Sequence, residues 1–280
     1  MPFADHATLA AGPWLQSAAL GAIQGLTEFL PVSSSGHLVL FERLLGVRRP
    51  GLALEAGLHL GTLGAVVWTY RADLTGVVSA LVRRWRGQAD SAAAGLLWWL
   101  LLGSLPVAVV GFALQGVADL LFGSLTAVAV AWCASGLVLL AIGARSPGSR
   151  TLERLRAADV LWIGAAQALA LAPGCSRSGA TIAAGLVRGL APAEATRFAL
   201  LLSLPAVGGA LLLHGGGLLV LPGEGGGMWL AAVVACVSGL LAIRVCVARV
   251  RAGALGSFGC YCLALGALVL LRGALTGEWS

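Results

Sequence analysis

The chain has 280 residues, of which 59% are hydrophobic and only 11% charged, with a mean hydropathy of +0.92. A water-soluble domain carries about 25% charged residues, so the composition excludes an ordinary solvated surface and leaves the bilayer as solvent. The net charge of +6 comes from arginine alone, because the sequence holds no lysine. Those arginines sit in loops between apolar runs rather than on one patch, which argues against nucleic acid as a partner.

Residues 8–30 are apolar but interrupted by Gly12, Pro13, Gly21 and Gly25, and are followed by Pro31-Val-Ser-Ser-Ser-Gly36 and a short run to Leu45. Neither piece reads as a full span, so the segment is predicted to be a re-entrant hairpin. Full spans are predicted near 52–70, 96–115, 125–143, 195–213, 228–248 and 255–272. A second broken segment runs 158–172, breaks at Pro173-Gly-Cys-Ser-Arg-Ser-Gly179 and resumes to about Leu190. The six cysteines have no metal-ligand or disulfide spacing and read as small hydrophobes.

If the six spans alternate, thirteen of the eighteen arginines fall in loops on one side, among them Arg83, Arg84, Arg154, Arg156, Arg249 and Arg251. Only Arg43, Arg48, Arg49 and Arg272 fall on the other, and Arg177 lies inside the second break. The positive-inside rule then makes the arginine-rich side cytoplasmic and both termini external. The two hairpins would enter from opposite faces, each followed by three spans. The chain is therefore expected to be one all-α polytopic membrane domain, 1–280, with halves of about 1–143 and 144–280 in an inverted-topology repeat. Matching breaks in the two halves point to a site near the midplane.

Each break leads a Ser/Gly-rich turn into a new helix, whose free N–H groups suit phosphate. Arg177 adds a permanent cation with a two-pronged fork, and Ser176, Ser178 and Thr181 add hydroxyl donors. In the first break Gln24 and Glu28 share a helix face, four residues apart. A carboxylate there suits a divalent cation, the orientation of water or acceptance of a proton. The plain alternative for Glu28 and Arg177 is an ion pair with each other. His37 is a candidate general acid or base. Ser34 is the chosen nucleophile among Ser33, Ser34 and Ser35, although sequence does not separate the three, and the others suit capping. Together these residues suggest a membrane-embedded site for a phosphorylated, lipid-linked anion.

Leu26-Thr-Glu-Phe-Leu-Pro-Val-Ser-Ser-Ser-Gly-His37 and Pro173-Gly-Cys-Ser-Arg-Ser-Gly-Ala-Thr181 resemble the two signature motifs of the undecaprenyl-pyrophosphate phosphatase, or bacitracin-resistance, family. Weaker similarity covers most of the chain, for instance Glu55-Ala-Gly-Leu-His-Leu-Gly61 and Phe198-Ala-Leu-Leu-Leu-Ser-Leu-Pro205. The resemblance implies hydrolysis of a C55 polyprenyl pyrophosphate to the monophosphate, which recycles the carrier lipid for bacterial wall synthesis. It implies a Mg2+ or Ca2+ ion, an inner-membrane site open to the outer face, and a possible homodimer. By matching position it assigns catalysis to Glu28, Ser34, His37 and Arg177, and phosphate binding to Ser176, Ser178, Gly179 and Thr181, with Ser33 and Ser35 beside them. The cation would fall to Glu28 and to Gln24, which stands where the family carries Glu or Gln. Glu55 and His59 receive no role beyond polar contacts at the end of the first span. The competing activity is transport or flipping of a phosphorylated polyprenyl lipid, because broken helices and inverted repeats are also transporter architecture.

Overall fold

The computed structural model describes residues 12–45, 52–88, 92–114, 124–213 and 225–277. Among them every regular element is helical: α1 Pro13–Phe29, α2 Ser34–Leu45, α3 Leu52–Thr69, α4 Arg71–Trp85, α5 Ala92–Ala113, α6 Leu125–Gly143, α7 Ala157–Leu169, α8 Arg177–Val187, α9 Pro192–Leu213, α10 Gly225–Arg251 and α11 Leu255–Thr276, with a 3-10 turn at Leu152–Arg154. Residues 8–11 of the first predicted segment, and Arg48 and Arg49, lie outside the described residues.

Among the described residues five helices are long and apolar enough to cross a membrane: those within Gly95–Ala113, Leu125–Gly143, Pro192–Leu213, Gly226–Arg251 and Leu255–Thr276. The chain is thus an all-helical, multi-pass membrane protein. The 18-residue α3 coincides with the first predicted span but is not among these five. Helices α2, α7 and α8 have 12, 13 and 11 residues, short of the ~20 that a crossing needs. Helix α4 occupies what the sequence suggested was an arginine-bearing loop. Its turns bury Val77 and Ala80 while Arg83 and Arg84 stay exposed, a pattern in which charge masks an amphipathic helix.

Small residues set the packing. In lipid, helices gain from close backbone approach rather than from hydrophobic burial. Helix α1 lies on α10 through Gly21 and Gly25; a Cβ on Gly21 would sit 2.6 Å from the Ala231 carbonyl. Helix α6 pairs with α11, where a Cβ on Gly136 would meet the Gly259 carbonyl at 2.8 Å. Helix α7 lies along α5, and α3 packs on α10. Trp132 of α6 is fully buried, in a cluster with Val32, Ile182, Phe258 and Cys262.

At the loop end of α7, outside the five spans, Asp159 is fully buried. It accepts from Arg150 Nη2 and Arg188 Nε, each at 2.7 Å, and from the Arg156 N–H at 3.1 Å. The hydrogen bond from Arg150, joined by those from Arg188 and Arg156, outweighs burial and holds the Asp159 carboxyl down at about 2. This cluster ties the 150–156 segment to the far end of α8.

Candidate active site at two abutting helix breaks

The first break follows from Pro31. Leu30 must leave the helical region before a proline, and it does so at φ −68°, ψ 142°. Ser33 then adopts a left-handed φ of 69°, which is uncommon for a side chain other than glycine and costs of order 1 kcal/mol or more. The Leu30, Pro31 and Val32 carbonyls lose their helical partners in this turn, while Ser33 O keeps the His37 N–H at 3.3 Å, and side chains reach all four. Ser178 Oγ donates to Leu30 O at 3.1 Å, and the Cys262 thiol faces Pro31 O at 3.5 Å. Trp132 Nε1 donates to Val32 O at 2.8 Å, and His37 Nδ1 to Ser33 O at 2.7 Å. Three of these donors come from the second half of the chain or from α6, so distant elements hold the break open. Non-helical backbone survives at membrane depth only when buried in protein in this way.

The second break is built alike. Gly174 takes φ 90°, where a Cβ would lie 2.9 Å from Ala131 Cβ, so the turn needs glycine for both conformation and space. Ser176 caps α8, its Oγ accepting the Gly179 N–H at 3.0 Å. The tips touch: besides the Ser178–Leu30 bond, a Cβ on Gly179 would be 3.3 Å from Pro31 Cβ.

Where the tips meet, one carboxylate collects the functional groups. Glu28 is buried. Its Oε1 pairs with Arg177 Nη2. Its Oε2 accepts from Ser34 Oγ at 2.5 Å and from Gln24 Nε2 at 3.0 Å. Gln24 Nε2 also approaches His59 Nδ1 at 3.4 Å, so His59, left without a role by sequence, joins the network. Gln24 Oε1 is buried without a partner. The Arg177 side chain keeps 23% exposure and lines a cavity of about 370 Å³ shared with Glu55, His59, Gln167, Val107 and Val207. A second cavity, about 360 Å³ and almost wholly apolar, lies between α6, α7 and α8 and reaches Ser176 and Gly179.

Glu28, Ser34, Arg177 and Gln24 therefore come together, and the remaining predicted residues surround them in other roles. His37 is turned away. Its Nδ1 faces a carbonyl, which only accepts, so that nitrogen carries the proton; Nε2 then accepts from Tyr261 Oη at 2.8 Å. The ring also meets Trp132 edge-on at 5.2 Å. Ser33 Oγ lies 3.3 Å from Ser35 Oγ and 3.4 Å from the Gly36 N–H. Ser176 and Ser178 hydroxyls lie 3.2 Å apart, and Thr181 Oγ1 bonds back to the Arg177 carbonyl at 2.8 Å. In this arrangement these hydroxyls cap and cross-link the breaks. Tyr261, Trp132 and Gln167 stand outside the residues singled out from the sequence, and the fold brings them to the region.

One carboxylate thus holds a serine hydroxyl on one oxygen and an arginine on the other, contacts that a nucleophile beside its base would need. Two helices, α2 and α8, begin next to it, and helix N-termini suit anions. The molecule belongs to the class of multi-pass helical membrane proteins, with a buried ionisable cluster where two helix breaks meet. Within that class the chain belongs to the bacitracin resistance protein BacA family, whose model matches residues 17–268 and so includes both breaks. It is 42% identical over 265 residues to a protein of Rubrobacter xylanophilus, covering 91% of this chain and 96% of that one. It is 40% identical over 272 residues to one of Desulfosudis oleivorans, covering 92% and 98%, and 36% identical over 273 residues to one of Desulfatibacillum aliphaticivorans, also 92% and 98%. All three relatives carry the name undecaprenyl-diphosphatase.

Proposed function

We propose that this chain is an integral-membrane phosphatase that hydrolyses undecaprenyl diphosphate to undecaprenyl phosphate and inorganic phosphate, recycling a carrier lipid for wall synthesis and conferring bacitracin resistance. Family membership supports the activity, and the observation that carries the chemistry is the Ser34–Glu28–Arg177 constellation. A serine held against a carboxylate has no use in carrying a lipid intact, so hydrolysis is favoured over transport.

The diphosphate enters the 370 Å³ cavity beside Arg177, and the apolar 360 Å³ cavity takes the nearest isoprene units. The guanidinium leaves Glu28 to grip phosphate oxygens in pairs. The carboxylate, relieved of its partner, takes the Ser34 proton. Ser34 Oγ bonds to the terminal phosphorus as the bond from that phosphorus to the bridging oxygen breaks, and the polyprenyl monophosphate leaves with the bridging oxygen. Water then attacks phosphoserine, gives one proton to the site, and releases inorganic phosphate with Ser34 restored. Developing charge is met by Arg177 and the N–H groups opening α2 and α8. His37 holds the Ser33 carbonyl, and with it the turn that presents Ser34.

A divalent cation fits the donors in part. Among the described residues no group of three or more His, Cys, Asp or Glu could hold a metal, but the orphaned Gln24 Oε1 is a buried oxygen on the face of Glu28. Gln24 and Glu28 would hold Mg2+ or Ca2+ together with substrate oxygens and water, as is usual for Mg2+. Such an ion would neutralise charge on the diphosphate.

The topology proposed is six spans with two re-entrant hairpins in an inverted repeat. Pairing of α1 with α10 and of α7 with α5 supports it, as does the α6–α11 pair. The positive-inside rule argues for both termini on the outer face of the bacterial inner membrane, and the family resemblance argues for a site that opens to the same face. The chain works as one domain, and a homodimer is compatible with the family. Phosphate release from undecaprenyl diphosphate by the purified protein tests the reading. Trapping of phosphoserine at Ser34 after acid quench is the expected second result, whereas a Ser34→Ala variant with substantial turnover would replace it with direct attack by water.

A further inference from the structure

Gln167 of α7 is the one side chain among the described residues with both amide atoms buried and unpartnered. It is 1% exposed. A buried carboxamide without hydrogen bonds costs about 1–3 kcal/mol, so a residue of this kind inside an otherwise apolar helix face calls for a ligand. Gln167 lines the same cavity as Arg177, His59, Val107 and Val207. The sequence adds a second observation. Gln167 lies 143 residues after Gln24, the same interval that separates Gly36 from Gly179 and Ser33 from Ser176. The two glutamines therefore hold one position in the two halves. Each precedes the matching serine of its break, Ser33 or Ser176, by nine residues, and each leaves at least one amide atom unsatisfied. Gln24 spends its Nε2 on Glu28, whereas the residue matching Glu28 at that interval is Leu171. Gln167 therefore lacks the carboxylate partner that Gln24 has, and its amide stays unbonded in the cavity wall.

Resting on the phosphatase reading above, we infer that Gln167 is a substrate-positioning residue for the diphosphate. Its Nε2 donates to a non-bridging phosphate oxygen of the group that Arg177 grips, and its Oε1 accepts from a water in the cavity. A carboxamide suits this place because it adds donors without adding charge, so the diphosphate is fixed in orientation while its release stays independent of a second cation. The pairing of a permanent cation with a neutral donor also distinguishes diphosphate from a carboxylate of similar charge, because two phosphates offer oxygens to both.

The test uses the purified full-length protein in detergent with wild type, Gln167→Leu and Gln167→Glu. KM and kcat are measured for undecaprenyl diphosphate, and a competitive inhibition constant for inorganic pyrophosphate, across pH 5–8. Leucine fits an apolar wall and keeps the fold, which the melting temperature checks. Gln167→Leu is expected to raise both KM and the pyrophosphate inhibition constant by roughly tenfold, the value of one hydrogen bond to a charged group. Gln167→Glu keeps the shape but adds a negative charge beside phosphate, so it falls below Gln167→Leu at pH 8 and recovers toward it at pH 5. Wild-type values for both constants in Gln167→Leu, or a Gln167→Glu variant no worse than Gln167→Leu at pH 8, would overturn the inference. Wild-type protein that releases no phosphate would instead overturn the phosphatase reading, so the two failures are distinct.

Discussion

The pair Glu28–Arg177 admits two accounts, one in which it only holds the breaks together and one in which it works on substrate, and a double-mutant cycle separates them. The Glu28 side chain is 6% exposed, against 23% for Arg177. Arg177→Met leaves a buried carboxylate with only the Ser34 and Gln24 donors. Removing one partner of a buried pair costs about 3–5 kcal/mol, and the partial exposure of the arginine places this case near the lower end. Glu28→Gln leaves a cation that the cavity hydrates, so its cost is smaller, about 1–2 kcal/mol. The double variant Glu28→Gln/Arg177→Met should recover about 2 kcal/mol relative to the sum of the singles, because neither charge is stranded. Unfolding in detergent measures this, with phosphate release as the second assay. Each single variant should lose at least ~10²-fold in kcat, and the double should stay inactive although its stability returns. Activity returning with stability in the double variant would refute the reasoning and leave the pair a structural clip.

At the loop end of α7, the Asp159 carboxyl sits at about 2 in the fold, against an ordinary 3.8. A lowered folded value means its stabilisation is complete above pH 4 and is lost as pH falls toward 2. The carboxylate is covered mainly by two half-exposed arginines, so screening trims its contribution to about 1–2 kcal/mol. Asp159→Asn should lower stability by that amount at pH 7 and flatten acid unfolding between pH 4 and 2; an unchanged acid limb would contradict this. Gly36→Ala would place a Cβ 2.7 Å from the Trp132 ring, an overpacking worth about 1–3 kcal/mol, read as a lower melting temperature together with reduced turnover. His37→Gln should weaken folding through the Ser33 carbonyl and the Tyr261 contact, yet leave the pH dependence of kcat unaltered. Loss of a titrating limb near neutral pH in that variant would show that His37 moves a proton.

Much of the fold was legible because composition and apolar length carry it. The span predicted at 125–143 coincides with α6, where Ser124 caps the helix by accepting the Ala127 N–H at 3.2 Å. Both breaks were legible from Pro31 and from Pro173-Gly174, since proline and glycine act through local sterics. Helix α4 was not, because Arg71, Arg83 and Arg84 suggested a loop and only its tertiary partners bury Val77 and Ala80. Of the site, Glu28, Ser34 and Arg177 were readable as ionisable or nucleophilic groups in apolar surroundings. The orientation of His37 was not, since it depends on Tyr261, 224 residues away. Gln167 carries no charge to mark it, and its one sequence signal was the 143-residue interval shared with Gln24.

Ser34, Glu28 and Arg177 are proposed to cleave a polyprenyl diphosphate. The most direct measurement is inorganic phosphate released from undecaprenyl diphosphate by purified wild-type protein and by Arg177→Lys, which keeps the charge and removes the fork. Wild type should release one phosphate per lipid in sustained turnover, and a folded Arg177→Lys variant should lose most of that turnover, ~10²-fold or more. Near-normal turnover by Arg177→Lys, or well-folded wild-type protein that releases no phosphate, would contradict that role.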